Sequence, residues 1–251
     1  MHDKIIRALL ISVFFFSTTA VYADELHGDG GAGFTRLESE SARTDPDYYS
    51  IDPASIKITR LDATEENDIS YLRAKRLDPG GIPVLIDQII NIGAKIWDIV
   101  KLNAPTADIE TTYATALPQG ITAWNQLAGW QRPKSYTYGF SVKNLYGATV
   151  VNVKYKVMFT YGGSYNGKGR YLTGVTMLPV SADVSWGYRF SLSAQVPDST
   201  VVNMGTGSDP VAALQLNTVW KITTSLKDSN GAGAYYMQGD GYFEELSAAA
   251  D

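Results

Sequence analysis

The segment "TVVNVKYKVMFTY", residues 149–161, decides the fold because its side chains alternate with a period of two. Its odd positions are apolar, at Val151, Val153, Tyr155, Val157, Phe159 and Tyr161. Its even positions are mainly polar, at Asn152, Lys154, Lys156 and Thr160. Such alternation predicts a long strand with one face in a core and the other in solvent.

The same alternation recurs along the second half of the chain. It is found in "YTYGFSVKN" (136–144), "DVSWGYRFSLSAQV" (183–196) and "AALQLNTVWKITTSLK" (212–227), with weaker strands at 109–117, 170–178 and 233–246. The turn signals "NLYG", "GGSYNGKG" and "KDSNGAG" separate the strands. The pattern predicts a mainly β domain over 106–248, an antiparallel β-sandwich of seven or eight strands that is immunoglobulin-like in the loose architectural sense.

A different periodicity marks "GGIPVLIDQIINIGAKIWDIVKLNAP", residues 80–105. Its apolar residues recur at steps of three and four, Pro83 suits a first helical turn and Pro105 closes the run. We expect one amphipathic helix over 83–102, packed at the N-terminal side of the sandwich. The residues expected to be buried against protein are Leu85, Ile89, Ile92, Ile96 and Val100.

The N-terminal part of the chain predicts export. Residues 1–23 have the basic start, the short apolar run and the small closing residues of a secretory signal peptide cleaved after Ala23, which indicates a periplasmic or secreted protein. Residues 24–79 are acidic and poor in large aliphatic side chains, so we expect a partly disordered segment. A strand at 55–61 and a helix at 64–77 are the ordered elements expected within it.

Composition excludes several kinds of chemistry. The chain has no cysteine and only two histidines, His2 and His27, which leaves neither a nucleophile–base system nor a zinc site. The acids of the C-terminal strands, Asp228, Asp240, Glu244 and Glu245, are expected to face solvent. We therefore expect no enzymatic activity, no cofactor and no metal, and the net charge of −5 argues against nucleic acid as a partner.

Binding is the function that remains, and aromatic and basic residues outside the strand cores are its candidates. They are Trp124, Trp130, Tyr146, Tyr165, Lys168 and Arg170. Aromatic loops at one end of a sandwich are typical of a surface that binds a glycan or a protein, although the tryptophans are equally well explained as cover for the edges of the core.

Several functional hypotheses follow. The favoured one is an exported, non-enzymatic envelope or secreted protein with a binding or structural role, which uses loops or edges of the sandwich to contact an envelope protein or a glycan. The main alternative is a membrane-active or pore-forming secreted protein that inserts the 83–102 helix, with membrane contact less favoured because the polar side of that helix is not rich in lysine. A transmembrane barrel and a glycan-cleaving enzyme are weaker alternatives.

Overall fold

The computed structural model describes residues 33–65, 72, 82–106 and 112–246, which form two antiparallel sheets packed face to face. Sheet A has the order β1-β6-β7-β8-β5-β2, and sheet B has the order β13-β12-β11-β9-β3-β4 with β10 beside β11. The predicted β-sandwich is confirmed. The predicted signal peptide, His27 and most of the helix expected at 64–77 lie outside the described residues.

Sheet A is built from β1 (Lys57–Glu65), β2 (Leu85–Ile90), β5 (Ala114–Gln119), β6 (Lys134–Lys143), β7 (Thr149–Tyr165) and β8 (Lys168–Val184). Sheet B is built from β3 (Ile96–Lys101), β4 (Ala104–Pro105), β9 (Arg189–Gln195), β10 (Val202–Asn203), β11 (Ala212–Thr223), β12 (Asp228–Gln238) and β13 (Phe243–Leu246). The described residues therefore hold thirteen strands, more than the seven or eight expected. Four of them precede residue 106, so the sandwich begins before the predicted boundary.

The hairpin of β7 and β8 is the longest feature of the fold. Its two-residue turn is Asn166-Gly167, and both residues have positive φ, 51° and 75°. That backbone matches the right-handed twist of paired strands, and Asn-Gly adopts it readily. Five of the six apolar positions that alternate along 149–161 are buried in the core, namely Val151, Val153, Tyr155, Val157 and Phe159. Tyr161 is half-buried against it.

The helix predicted for 83–102 is wrong, because the segment forms β2 in sheet A and β3 in sheet B. Of the five side chains expected to be buried, only Val100 is fully buried. Ile89 and Ile92 are half-buried against the core, whereas Leu85 is exposed and Ile96 is 70% exposed. The single α-helix of the described residues is α1 (Arg36–Thr44), near the start of the described part of the chain.

The break between β2 and β3 has a physical cause at 91–95. The Asn91 side chain accepts from the backbone N–H groups of Gly93 and Thr115 and donates to the carbonyl of Ala94, which is the chemistry of a turn. A Cβ on Gly93 would lie 2.2 Å from the carbonyl oxygen of Tyr113, so only glycine fits. β-branched isoleucines on both sides then favour strands.

The described part of the acidic segment, residues 33–65, contains helix α1, a 3₁₀ turn at Pro53–Ser55 and strand β1. Helix α1 begins with a capping box between Thr35 and Glu38. The carbonyl of Tyr48 accepts bonds from the Asn144 amide and from the Tyr188 hydroxyl, which fastens the segment to one end of the sandwich. The strand expected at 55–61 is confirmed as β1, which lies at the edge of sheet A.

Candidate functional site

The six predicted binding residues divide between the two ends of the sandwich. Trp124, Trp130, Tyr165, Lys168 and Arg170 gather near the turn of the β7–β8 hairpin, here called the hairpin end, through the pairing of Ala128 with Ser164. Tyr146 lies at the opposite end, in the β6–β7 turn, where it is 62% exposed and its hydroxyl donates to Asp45 Oδ1 at 2.7 Å. The sequence pattern therefore grouped residues that do not form one surface.

The two tryptophans cover the end of the core. Their rings meet edge to face with centroids 6.4 Å apart, and Trp130 Nε1 donates to the carbonyl of Trp124 at 3.2 Å. The ring of Trp130 lies on Gly163, where a Cβ would come within 2.4 Å of it. Both rings are half-buried against the core, as expected for residues that cover the edge of the core.

The basic residues of the hairpin are partly engaged by an acid of the neighbouring loop. Arg170 lies 3.3 Å from Asp209 Oδ2, and the backbone N–H of Gly169 donates to Asp209 Oδ1 at 3.2 Å. This carboxylate already occupies the position that an external anion would take at the amide. The hairpin is therefore a poor anion site, although the Lys168 side chain is exposed.

Four residues that the sequence pattern did not single out as binding residues form a polar aromatic cluster beside the hairpin end. The corner site consists of Tyr236, Gln238, Tyr242 and Glu244, on β12, β13 and the turn between them. The rings of Tyr236 and Tyr242 meet edge to face at 6.2 Å. Tyr242 is 49% exposed, so the cluster offers an accessible aromatic ring.

Hydrogen bonds orient both tyrosines of the corner site. The hydroxyl of Tyr242 donates to Glu244 Oε2 at 3.0 Å, and Gln238 Nε2 donates to the hydroxyl of Tyr236 at 3.0 Å. The bond to Glu244 raises the pKa of Tyr242, so the phenol stays protonated at neutral pH. The two hydrogen bonds therefore hold both rings in a fixed orientation.

The turn that carries Tyr242 is held against sheet A. Lys134 Nζ donates to the carbonyl of Gly241 at 2.6 Å, and the N–H of Gly162 donates to the carbonyl of Gly239 at 2.9 Å. A Cβ on Gly239 would lie 2.0 Å from the carbonyl oxygen of Arg170, so the two backbones approach as closely as glycine permits. The corner site is therefore built on rigid backbone.

The corner site continues onto the solvent side of sheet B, here called the outer face. Tyr236 pairs with Gln215 on β11 and with Glu244 on β13, so three outward side chains form a row across the strands. The Gln215 amide donates to Asn217 Oδ1 at 2.6 Å. Several other outward residues carry hydroxyl or amide groups, among them Ser191, Ser193, Gln195, Asn217 and Asn230.

The four acids considered from the sequence have different partners in the structure. Asp228 forms an ion pair with Lys221 at 2.6 Å, and the hydrogen bond from that lysine lowers the pKa of the carboxyl. Asp240 accepts from the backbone N–H of Tyr242 at 3.0 Å. Glu245 points to the other face of β13 from Glu244 and accepts from the Tyr138 hydroxyl at 2.8 Å.

Within residues 33–65, 72, 82–106 and 112–246, no three acidic or histidine side chains converge as a metal site would require. The helical elements of the same ranges are too short or too polar to cross a bilayer. No protein-family model, no curated protein and no solved structure matches this chain, so its function has to be inferred from its own geometry.

Proposed function

We propose that the protein is an exported, non-enzymatic binding protein whose ligand is a glycan held at the corner site. The observation that carries the proposal is the half-exposed ring of Tyr242, which the bond to Glu244 orients at the border of the outer face of sheet B. Binding sites of this kind combine an aromatic contact surface with a few oriented polar groups.

The chemistry of a sugar matches these groups. A pyranose ring has a face of C–H groups that packs on an aromatic ring, and hydroxyls around its rim that both donate and accept hydrogen bonds. Glu244 retains acceptor capacity beyond its bond from Tyr242, and Gln215 and Gln238 supply amide donors and acceptors. Tyr242 would stack on the sugar, and the neighbouring polar groups would bind its hydroxyls.

The structure also bears on the competing hypotheses. Glu244 and Glu245 lie on opposite faces of one strand, so this carboxylate pair cannot flank a glycosidic bond as glycosidases require. The membrane-active alternative requires a helix at 83–102, but this segment contains two strands. Export rests on the predicted signal peptide and is tested by locating the protein in cell fractions.

The experiment is binding of the mature protein to immobilised polysaccharides, followed by titration of the soluble ligands. Tyr242→Ala should weaken binding about tenfold or more, since truncating a central aromatic contact typically costs more than about 1.4 kcal/mol. Tyr146→Ala is the matched control, because this tyrosine is at least as accessible as Tyr242, 62% against 49% exposed, but lies at the opposite end. If no polysaccharide binds, or if both variants bind like the wild type, the proposal is wrong.

A further inference from the structure

We infer that the glycan is neutral and chain-like, and that it crosses the strands of the outer face of sheet B from the corner site. This inference rests on the proposed function and names the ligand class of the same site. It is carried by the strand register, by the chemistry of the outward side chains and by the pairing of the charged residues at the border of the face.

The register places a continuous row of side chains beside the corner site. One residue from each of five adjacent strands contributes to it, and the row consists of Ile96, Gln195, Asn217, Ala234 and Leu246. At about 4.8 Å between strands, five strands span about 19 Å, which accommodates several sugar residues. This row runs parallel to the row of Gln215, Tyr236 and Glu244, which lies two residues away along each of the three strands.

The side chains of this face suit a polysaccharide. Gln195 and Asn217 are half-buried amides that can donate to and accept from hydroxyl groups. Small neighbours such as Ser193 and Ala232 leave the amides accessible, and Val219, which is 41% exposed, offers an apolar contact for a sugar ring. Protein interfaces, in contrast, are enriched in aromatic residues, methionine and arginine at their centres.

The charge distribution favours a neutral ligand over an acidic one. Lys221 forms an ion pair with Asp228 at 2.6 Å, and Arg189 forms an ion pair with Glu38 at 2.8 Å. Two of the cations at the border of the outer face are thus paired with the chain's own acids. An acidic polysaccharide would find no unpaired cation among these residues and would be repelled by Glu244.

The test is calorimetric titration of the mature protein with ladders of neutral oligosaccharides, from disaccharide to hexasaccharide, drawn from glucan, mannan and galactan. Oligogalacturonates of equal length serve as the acidic probe. Affinity for the neutral ladder should rise with length. Gln195→Ala and Asn217→Ala should each weaken hexasaccharide binding about two- to tenfold, the value of one or two hydrogen bonds, and should weaken disaccharide binding less.

Asn152→Ala is the matched control, since Asn152 is an exposed amide on the other sheet. Equal affinity for short and long oligosaccharides, with Tyr242→Ala still impaired, would overturn the extended site and leave the proposed function intact. Tighter binding of the acidic ladder would overturn neutrality. If no ladder binds the wild type, including the case in which a protein occupies this face instead, both proposals fail.

Discussion

The hydroxyl groups of Tyr155 and Tyr235 lie 2.8 Å apart in the core, and they come from different sheets. Burial raises the pKa of Tyr155 to about 12 and also raises that of Tyr235, so both phenols are protonated at neutral pH. One hydroxyl therefore donates and the other accepts. The bond joins β7 to β12 through the interior of the sandwich.

Removing one member of this pair should be more costly than its single hydrogen bond suggests. Tyr235→Phe leaves the Tyr155 hydroxyl buried without this partner, so we expect the free energy of unfolding to fall by about 1–3 kcal/mol. Urea unfolding followed by circular dichroism measures the change. The double variant Tyr155→Phe/Tyr235→Phe should lose less than the sum of the single variants, and strict additivity would contradict the role assigned to the bond.

Glu38 should contribute to stability far more than its neighbour Glu40. The Glu38 side chain is 3% exposed and lies 2.8 Å from Arg189, whereas Glu40 forms an exposed pair with Arg36 on the surface of α1. We expect Glu38→Gln to reduce the free energy of unfolding by about 1–3 kcal/mol. Glu40→Gln should change it by less than about 0.5 kcal/mol. Equal effects of the two variants would show that burial of the pair is unimportant.

The same ion pair predicts a pH dependence. Burial acts to raise the pKa of Glu38, but hydrogen bonds from Thr35 and Arg189 and the charge of Arg189 outweigh it and lower the pKa. A carboxyl whose pKa is lowered in the folded state stabilises the fold at pH values above its unfolded pKa of 4.5. This stabilisation is lost as the pH falls through the folded pKa. The stability difference between wild type and Glu38→Gln should therefore shrink in acid. A difference that stayed constant in unfolding curves from neutral pH to about pH 3 would refute this.

Gly163 should tolerate no side chain because Trp130 packs directly on it. A Cβ at this position would lie 2.4 Å from the indole ring, so Gly163→Ala must displace Trp130 and should destabilise the protein by about 1–3 kcal/mol. Thermal unfolding and the tryptophan emission spectrum report the two effects. Gly207→Ala is the control, since nothing lies within 4 Å of its Cβ, and it should leave both unchanged.

Substitutions in β3 distinguish the strand from the helix that the sequence predicts. Ile99 is buried and Ile96 is exposed, as alternate faces of a strand require. Ile99→Ala should cost about 2–5 kcal/mol of unfolding free energy, and Ile96→Ala should cost less than about 1 kcal/mol. A larger loss for Ile96→Ala in urea unfolding would favour the buried position that the helical pattern assigned to it.

The sequence predicts the fold best where a strand has one solvent-exposed face and one buried face. In β7, Val153, Tyr155 and Val157 face the core while Lys154 faces solvent, so the period of two is visible directly. The Asn166-Gly167 turn adds a second local signal, because few other dipeptides adopt two consecutive positive φ values easily. These features depend on the neighbouring residues alone.

The helix prediction failed because β2 is not a one-sided strand. Leu85 and Ile86 are consecutive apolar residues, as are Ile89 and Ile90, and all four are exposed or half-buried at the edge of sheet A. Apolar pairs three or four residues apart imitate a helical face. The isoleucine content and the turn at Asn91 are the features of the sequence that favour strands over a helix.

The binding surface was predicted only in part, because the sequence does not reveal which turns share an end of the sandwich. Tyr146 was grouped with Tyr165, although the seventeen residues of β7 lie between their turns. The strand predicted at 233–246 includes Tyr242, which lies in the turn between β12 and β13. The preceding sequence Gly239-Asp240-Gly241 is the local signal that indicates a turn.

The interleaving of the two sheets along the chain bears on how the protein acquires its structure. β1 pairs with β6, and β3 pairs with β9 as well as with the short strand β4, so most of the pairing of these early strands needs much later segments. Topologies with such distant pairings fold slowly, because large loops must close before any contact compensates for the lost entropy. Truncated chains that end before β9 should therefore stay unfolded, and the chain should fold as one cooperative unit once β9 and its neighbours are complete.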